Sequence, residues 1–205
     1  MLKIYGRASS ANVQKVTWLC TEIGLPYDRK DVGGEFGGND QEWYLKLNPN
    51  GRVPTIDDDG FILWESNAII RYLAEKHAPE WAGGNDLRRR GLIGQWMDWL
   101  PNVTAGMVPV FHGLIRTPPE KRNAEAIEAG RIAWAKAMTI LDGGLEGHDY
   151  VVGNEISVAD VALGPFTYRW FELPIERPTL KALEAWYRRL KERAPYRKHV
   201  MAGLV

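Results

Sequence analysis

The stretch "NPNGRVPTIDDDGFILWESNAIIRYLAEKH", residues 48–77, decides the fold class of this 205-residue chain. "VPTID" (53–57) and "FILWE" (61–65) read as two short strands. The "DDDG" between them is a hairpin signal, because Asp59-Gly60 suits a two-residue turn with positive φ at both central positions. "SNAIIRYLAEKH" then reads as a helix, with Ser66 as its N-cap and Pro79 just past its end. Two antiparallel strands followed at once by a helix place this part of the chain in a mixed α/β layer.

The residues before this stretch extend the same layer. "LKIY" (2–5) reads as a short buried strand. From Asn12 to Ile23 a helix is expected, since Val13, Val16, Leu19, Cys20 and Ile23 recur at spacings of three and four. Gly24 stops it, with Pro26 just beyond. "YDRKDV" is a second strand, "GGEFGGND" a loop, and "QEWYLKLNP" a short helical turn ended at Asn48-Pro49. After "APEWAGGND" the pattern changes, and no convincing strand follows. Leu87–His112 reads as one helix kinked at Pro101 and Pro109. Glu120–Leu145 reads as a second, with Ile127, Trp134, Met138, Leu141 and Leu145 on one face. "ISVADVALGPF" opens a third, and "PTLKALEAWYRRLKERAP" is a fourth, closed by Pro195. The expected organisation is an α/β domain over residues 1–79 and an all-helical domain over residues 87–205.

Composition narrows the function classes. Lys+Arg and Asp+Glu number 26 each, which argues against a nucleic-acid or anionic-membrane partner bound through bulk charge. No run is apolar enough to span a membrane, and "MLKIYGRASS" has no secretory pattern, so a cytoplasmic protein is expected. The single cysteine, Cys20, excludes an intrachain disulfide and a cysteine metal cluster, and its apolar neighbours make it a core thiol. The four His show no metal spacing, so no metal is expected. Nine Trp are unusual for this length, and those at 96, 99, 134, 170 and 186 point to large-ring packing between helices.

Four local features carry chemistry or capping. Pro54 opens a strand, and a strand end with interrupted pairing leaves the N–H and C=O of Val53 free for an extended peptide; an ordinary edge proline is the alternative. Ser66 stands at a helix N-terminus, an anion site, with Glu65 beside it for an ammonium. That pair suits an amino-acid head group, and a simple cap is the alternative. Ser10 and Asn12 sit where a strand gives way to a helix. Either caps the helix, or both donate to an anion there. A hydrogen bond to a charged acceptor is worth about 1.5–3 kcal/mol, roughly one to two pK units, enough to make a bound thiol largely thiolate. Ser157 and Asp160 form a capping box of structural kind.

In combination these segments resemble the cytosolic glutathione S-transferase family over essentially the whole chain. "NPNGRVPTI", the hairpin, "LWESNAIIRYLAEKH" and "SVADVAL" carry the resemblance. It implies a thioredoxin-like domain followed by a helical bundle, a homodimer, and glutathione as cosubstrate in detoxifying conjugation. It further implies that Pro54 is cis, that Val53 pairs with the cysteinyl unit of glutathione, and that Glu65 and Ser66 hold its γ-glutamyl end. Arg52 is placed to reach the glycyl carboxylate. The slot that holds a tyrosine in some classes is Gly6 here, and Asn12 stands where others have a cysteine. The hydroxyl and amide two residues apart are most similar to bacterial theta- and nu-like members, which makes Ser10 and Asn12 the donors to sulfur. Trp99, Val103, Met107 and Phe111 are the expected electrophile pocket. A glutathione-dependent disulfide reductase and a non-catalytic binding module on the same fold are the rival expectations.

Overall fold

The computed structural model describes residues 1–204. Strand β1 (Leu2–Tyr5) buries Leu2 and Ile4, and helix α1 (Ala11–Glu22) leads to β2 (Tyr27–Lys30). A short helix α2 (Glu42–Leu45) precedes β3 (Thr55–Asp58), β4 (Phe61–Trp64) and α3 (Ser66–His77). The sheet order is β2-β1-β3-β4. β1 and β2 are parallel, Leu2 opposite Tyr27, because α1 returns the chain. β3 runs antiparallel to β1, Ile56 opposite Ile4, and to β4, Thr55 opposite Trp64. At the hairpin, Asp59 and Gly60 have φ of 51° and 94°, the positive pair such a turn needs, and Asp57 Oδ1 accepts the Gly60 N–H at 2.7 Å. This is the four-stranded mixed sheet with helices of a thioredoxin-like domain.

The rest of the described chain is helical. The segment expected as one kinked helix is two, α4 (Leu87–Trp99) and α5 (Pro101–Phe111). Pro101 takes the first position of α5, where its missing N–H costs nothing. Pro109 lies within α5, which ends in a π-turn over His112–Arg116. Helix α6 (Ala124–Leu145) begins four residues later than expected, because Asn123 accepts the Ala126 N–H at 3.0 Å and Pro119–Lys121 is a separate 3₁₀ turn. Helices α7 (Val158–Glu172), α8 (Lys181–Glu192) and α9 (Ala194–His199) follow. Pro195 does not end the chain's helical part, since it sits in the first turn of α9.

The two halves meet across α1. Nine of its twelve residues are buried, so α1 lies between the sheet and the bundle rather than on a surface. Trp18 is fully buried over Gly164 of α7, where a Cβ would lie 2.7 Å from the indole ring. Its Nε1 donates to Glu22 Oε1 at 2.8 Å, and Glu22 accepts Nε and Nη2 of Arg193 at 2.7 Å each. Tyr196 of α9 packs edge-on against Trp18 at 4.8 Å and donates to the Gly164 carbonyl.

Asp160 anchors α7. Its buried carboxylate accepts the N–H of Val151 and Ser157, the Ser157 hydroxyl and the Trp186 Nε1–H at 2.8–3.0 Å. Burial raises its pKa and the four donors oppose that rise. The box is therefore a tie between α7, α8 and the preceding loop as well as a cap. Asp160→Ala strands four donors and is expected to lower unfolding stability by about 3 kcal/mol or more, against about 1 kcal/mol for Ser157→Ala, both read from urea denaturation.

Candidate functional site

The loop from β1 to α1 is shaped by Gly6. Its φ is 153°, and a Cβ there would lie 2.5 Å from Val13 Cγ2 and 3.1 Å from Val53 Cβ. No side chain fits that slot, whereas Tyr5 turns away and packs near Trp43 at 6.1 Å. Ser10 is the residue before α1, but its side chain makes no capping bond. Its carbonyl accepts the Gln14 N–H at 2.9 Å, so the backbone does the capping geometry and the hydroxyl is left over.

The second wall is the turn before β3. The Val53–Pro54 bond is cis, as the resemblance implied. The ladder starts at Thr55, which leaves the main chain of Val53 outside the pairing. Two buried side chains hold this turn. Tyr44 donates to the Arg52 carbonyl at 2.6 Å and meets Thr55 Oγ1 at 2.9 Å. Asn48 donates to the same two oxygens at 2.8 and 3.2 Å. Burial raises the Tyr44 pKa, which keeps its hydroxyl a donor.

The third wall is the start of α3. Ser66 is not the N-cap: it is the first helical residue, and Glu65 takes the cap position with φ of 71°. A positive φ on a non-glycine residue is costly and tends to mark functional sites. No side chain caps the helix, so its first-turn N–H groups are available to an anion. The Ser66 hydroxyl is used elsewhere, donating to Asn12 Oδ1 at 3.2 Å. With its oxygen engaged, the Asn12 Nδ2 has no hydrogen-bond partner among the described residues.

Beneath Ser66 lies Lys15, 1% exposed. Its ammonium donates to Ser66 Oγ and Asn67 Oδ1, both at 3.1 Å, and stands 5.0 Å from the Phe166 ring of α7. Burial lowers its pKa to about 7, and Glu65 opposes the shift. A buried ammonium that close to neutrality favours an anion placed beside it.

Three adjoining hollows join these walls. Asn12, Asn48, Arg52, Val53, Pro54, Glu65 and Ser66 line a pit of about 90 Å³. On one side a cleft of about 340 Å³ extends past Asn12, Lys15 and Ser66 to Asp98, Leu100, Pro101 and Thr104. On the other, a hollow of about 250 Å³ is lined by Ser10, Arg52 and Val53 with Arg7 and Asn39. An extended tripeptide-sized ligand with an amino-acid head group matches this shape.

A family profile described as "Glutathione S-transferase, N-terminal domain" matches residues 9–76, and one described as "Glutathione S-transferase, C-terminal domain" matches residues 103–194. The chain belongs to the glutathione S-transferase family. Glutathione S-transferase GstB of Escherichia coli K12 is 39% identical over 98% of this chain and 98% of its own length. The theta class glutathione S-transferase of Xanthomonas axonopodis pv. citri, solved with glutathione bound, superposes with a TM-score of 0.96 at 41% identity, covering 100% of this chain and 99% of that one. The disulfide-bond oxidoreductase YfcG of Escherichia coli K12 is 28% identical over 91% of this chain and 88% of its own length. The protein is thus a transferase that conjugates glutathione to electrophiles, which removes the non-catalytic reading.

As a glutathione transferase site, the structure brings Ser10, Asn12, Arg52, Val53, Pro54, Glu65 and Ser66 to one set of hollows. Of the four residues expected to line an electrophile pocket, three are buried and Trp99 is half-buried. Val103, Met107 and Phe111 are 1%, 3% and 1% exposed in the helical core, and Trp99 packs edge-on against Trp96 at 5.2 Å. Their neighbours Leu100, Pro101 and Thr104 face the cleft instead. Sequence reasoning missed Lys15, Tyr44 and Asn48. The Asn12-to-Lys15 spacing of three, one helical face, was the available signal for the first. Tyr44 and Asn48 are spaced four apart, but nothing local marks them as supports for Arg52. Tyr44→Phe is expected to weaken glutathione binding about fivefold, for a bond worth about 1 kcal/mol, and titration calorimetry reads it.

Proposed function

We propose that this transferase holds glutathione extended along Val53, with its sulfur as a thiolate between the Ser10 hydroxyl and the Asn12 amide. The γ-glutamyl carboxylate lies at the first turn of α3 with Ser66, and its ammonium lies beside Glu65. The glycyl carboxylate faces Arg52. The observation that carries this reading is that both donors are unspent: Ser10 makes no cap bond, and Asn12 has its oxygen, not its nitrogen, committed to Ser66. Donors aimed at a developing or resident anion, at a helix N-terminus, favour the thiolate. The thiolate then attacks an electrophilic carbon, forming the C–S bond as the leaving group departs with its electron pair. Cys20 takes no part, because it is buried and its thiol is pushed up to about 12. The working form is a cytoplasmic homodimer acting in detoxification without a metal, a reading supported by family membership. Among the described residues no helix is long and apolar enough to cross a membrane.

A second reading, glutathione-dependent disulfide reduction, is favoured by the likeness to the disulfide-bond oxidoreductase. The same two donors would stabilise a departing thiolate. Faster turnover of a disulfide than of a chloronitrobenzene, each relative to its uncatalysed rate, separates this activity from conjugation.

Ser10→Ala with Asn12→Ala is expected to raise the pKa of the bound thiol by about two units, read from its thiolate absorbance in a pH titration. An unchanged pKa in the double variant means that the sulfur lies elsewhere.

Lys15 adds an anion-dependent charge to the γ-glutamyl end. Glu65 at the head of α3 and Asp98 across the cleft are the acidic groups lining the same hollow. Its pKa of about 7 lies below the free value of 10.5. Below pH about 7 the folded and unfolded chains both hold this proton. Between about 7 and 10.5 the unfolded chain holds more, so this group makes stability rise with pH across that window. A bound carboxylate favours the ammonium, so binding at mildly alkaline pH takes up a proton. Calorimetry with S-methylglutathione, whose sulfur has no proton to lose, in buffers of different ionisation heat should show that uptake. Lys15→Met should abolish it.

A further inference from the structure

At the other end of α5 from the γ-glutamyl cleft, three guanidinium groups converge without matching carboxylates. Arg169 of α7 is 8% exposed. Its Cζ lies 4.0 Å from the Phe111 ring centre, and Nη2 donates to the Ser9 carbonyl at 3.5 Å. Arg116, at the end of the π-turn, stands 5.2 Å from the same ring, with Nη1 3.2 Å from His112 Nε2. Arg7 lies along Gly33 and Gly34, where a Cβ on Gly34 would meet its Nε at 2.9 Å, and it lines the hollow that contains Ser10 and Val53.

Several half-buried arginines in this protein are paired: Arg89, Arg131, Arg189 and Arg193 each meet a carboxylate within 2.7 Å. Among the described residues, Arg116 and Arg169 have no ion pair, and Arg7 reaches only the exposed Glu35 at 4.0 Å. The three groups also oppose one another. Burial, then Arg116 and Arg7, lowers the Arg169 pKa to about 10, and burial, then Arg7, lowers that of Arg116 against a smaller opposing effect of Glu35. The His112 pKa is lowered by burial and by Arg116 and Arg169, which favours its neutral form. A nine-tenths-buried guanidinium whose bonds are a long one to the Ser9 carbonyl and a weak one from Nη1 to Met107 Sδ at 3.8 Å is a desolvation cost that a bound anion would offset.

The location says which anion. Ser9 precedes Ser10, so the cluster stands beside the sulfur position, away from the α3 end that takes the γ-glutamyl group. We propose that the electrophile this enzyme accepts carries an anionic group of carboxylate size, held by Arg169 and Arg116 with Arg7, while its reactive carbon faces the glutathione sulfur. This rests on the reading of Ser10 and Asn12 as the sulfur's donors. The planar fork of arginine suits a carboxylate bidentately, and the Phe111 face keeps Arg169 in place. In the reaction the sulfur lone pair forms the C–S bond, the bond to a halide-type leaving group breaks, and the halide leaves with the pair. The carboxylate is untouched.

Two unreactive conjugates test this without turnover: S-(para-carboxybenzyl)glutathione and S-(para-carbamoylbenzyl)glutathione, alike in size and different in charge. In titration calorimetry the carboxylate form should bind about tenfold tighter, and the advantage should shrink in high salt. Arg116→Gln, an exposed position that leaves the core intact, and Arg169→Gln should each reduce the advantage to about twofold or less. Equal affinity for the two conjugates, with glutathione still bound, overturns the anionic electrophile and leaves the glutathione site standing. Equal affinity together with a raised thiol pKa in Arg116→Gln assigns the cluster to the sulfur instead. Failure of the wild-type protein to bind glutathione removes the site reading, and this inference with it.

Discussion

The burial of Trp18 against Gly164 is the contact on which the site depends. One helix, α1, is shared between the sheet and the bundle, and the indole of Trp18 fixes how it sits on α7. Burying so large a side chain is worth about 2–3 kcal/mol, and the missing Cβ at residue 164 is what allows it. Asn12, Lys15 and Trp18 follow one another three residues apart along that helix. The packing that seats Trp18 therefore also sets where Asn12 and Lys15 meet α3. The Glu22–Arg193 pair and the Tyr196 ring, edge-on to Trp18, hold the far end of the same helix, so α1 cannot turn about its axis without disturbing both.

From this placement follows a directional chain of hydrogen bonds. Lys15 donates to Ser66, Ser66 donates to Asn12, and the Asn12 amide nitrogen is what remains. A buried lysine thereby orients a group at the surface of the cleft. On the opposite wall Tyr44 and Asn48 tie down the Arg52 carbonyl, which leaves the adjoining Val53 main chain presented to a ligand. Positive charge stands at both ends of α5, Lys15 near its start and Arg116 with Arg169 at its finish. In the proposed arrangement glutathione and the electrophile meet separate cationic groups, with the neutral donors Ser10 and Asn12 between them.

Much of this was legible in the sequence. The hairpin at Asp59-Gly60, the stop at Gly24 and the Ser157–Asp160 box are local signals, because each depends on backbone geometry within a few residues. Pro54, Glu65 and Ser66 were legible as a set, although Ser66 serves through its hydroxyl and not as a cap. That three of the expected electrophile-pocket residues are buried was not legible. Val103, Met107 and Phe111 lie on an apolar stripe, and an apolar stripe looks the same whether it faces a cleft or a core. Two prolines were misjudged as well: Pro101, expected as a kink, and Pro195, expected as a stop, both lie in first turns of helices here, where proline is tolerated.

By itself the sequence determined the order of strands and helices up to His77, the hairpin, the change from mixed to helical structure near residue 80, and which polar residues stand at the strand-to-helix turns. Those follow from short-range periodicity and turn chemistry. Only the tertiary structure decided that Lys15 is buried under Ser66, that Tyr44 and Asn48 brace the turn at Arg52, and that Arg7, Arg116 and Arg169 share one corner. Those residues are 51, 8 and up to 162 positions apart. Whether a lysine or arginine is solvated or buried depends on which element packs over it, and no local pattern in the chain carries that information.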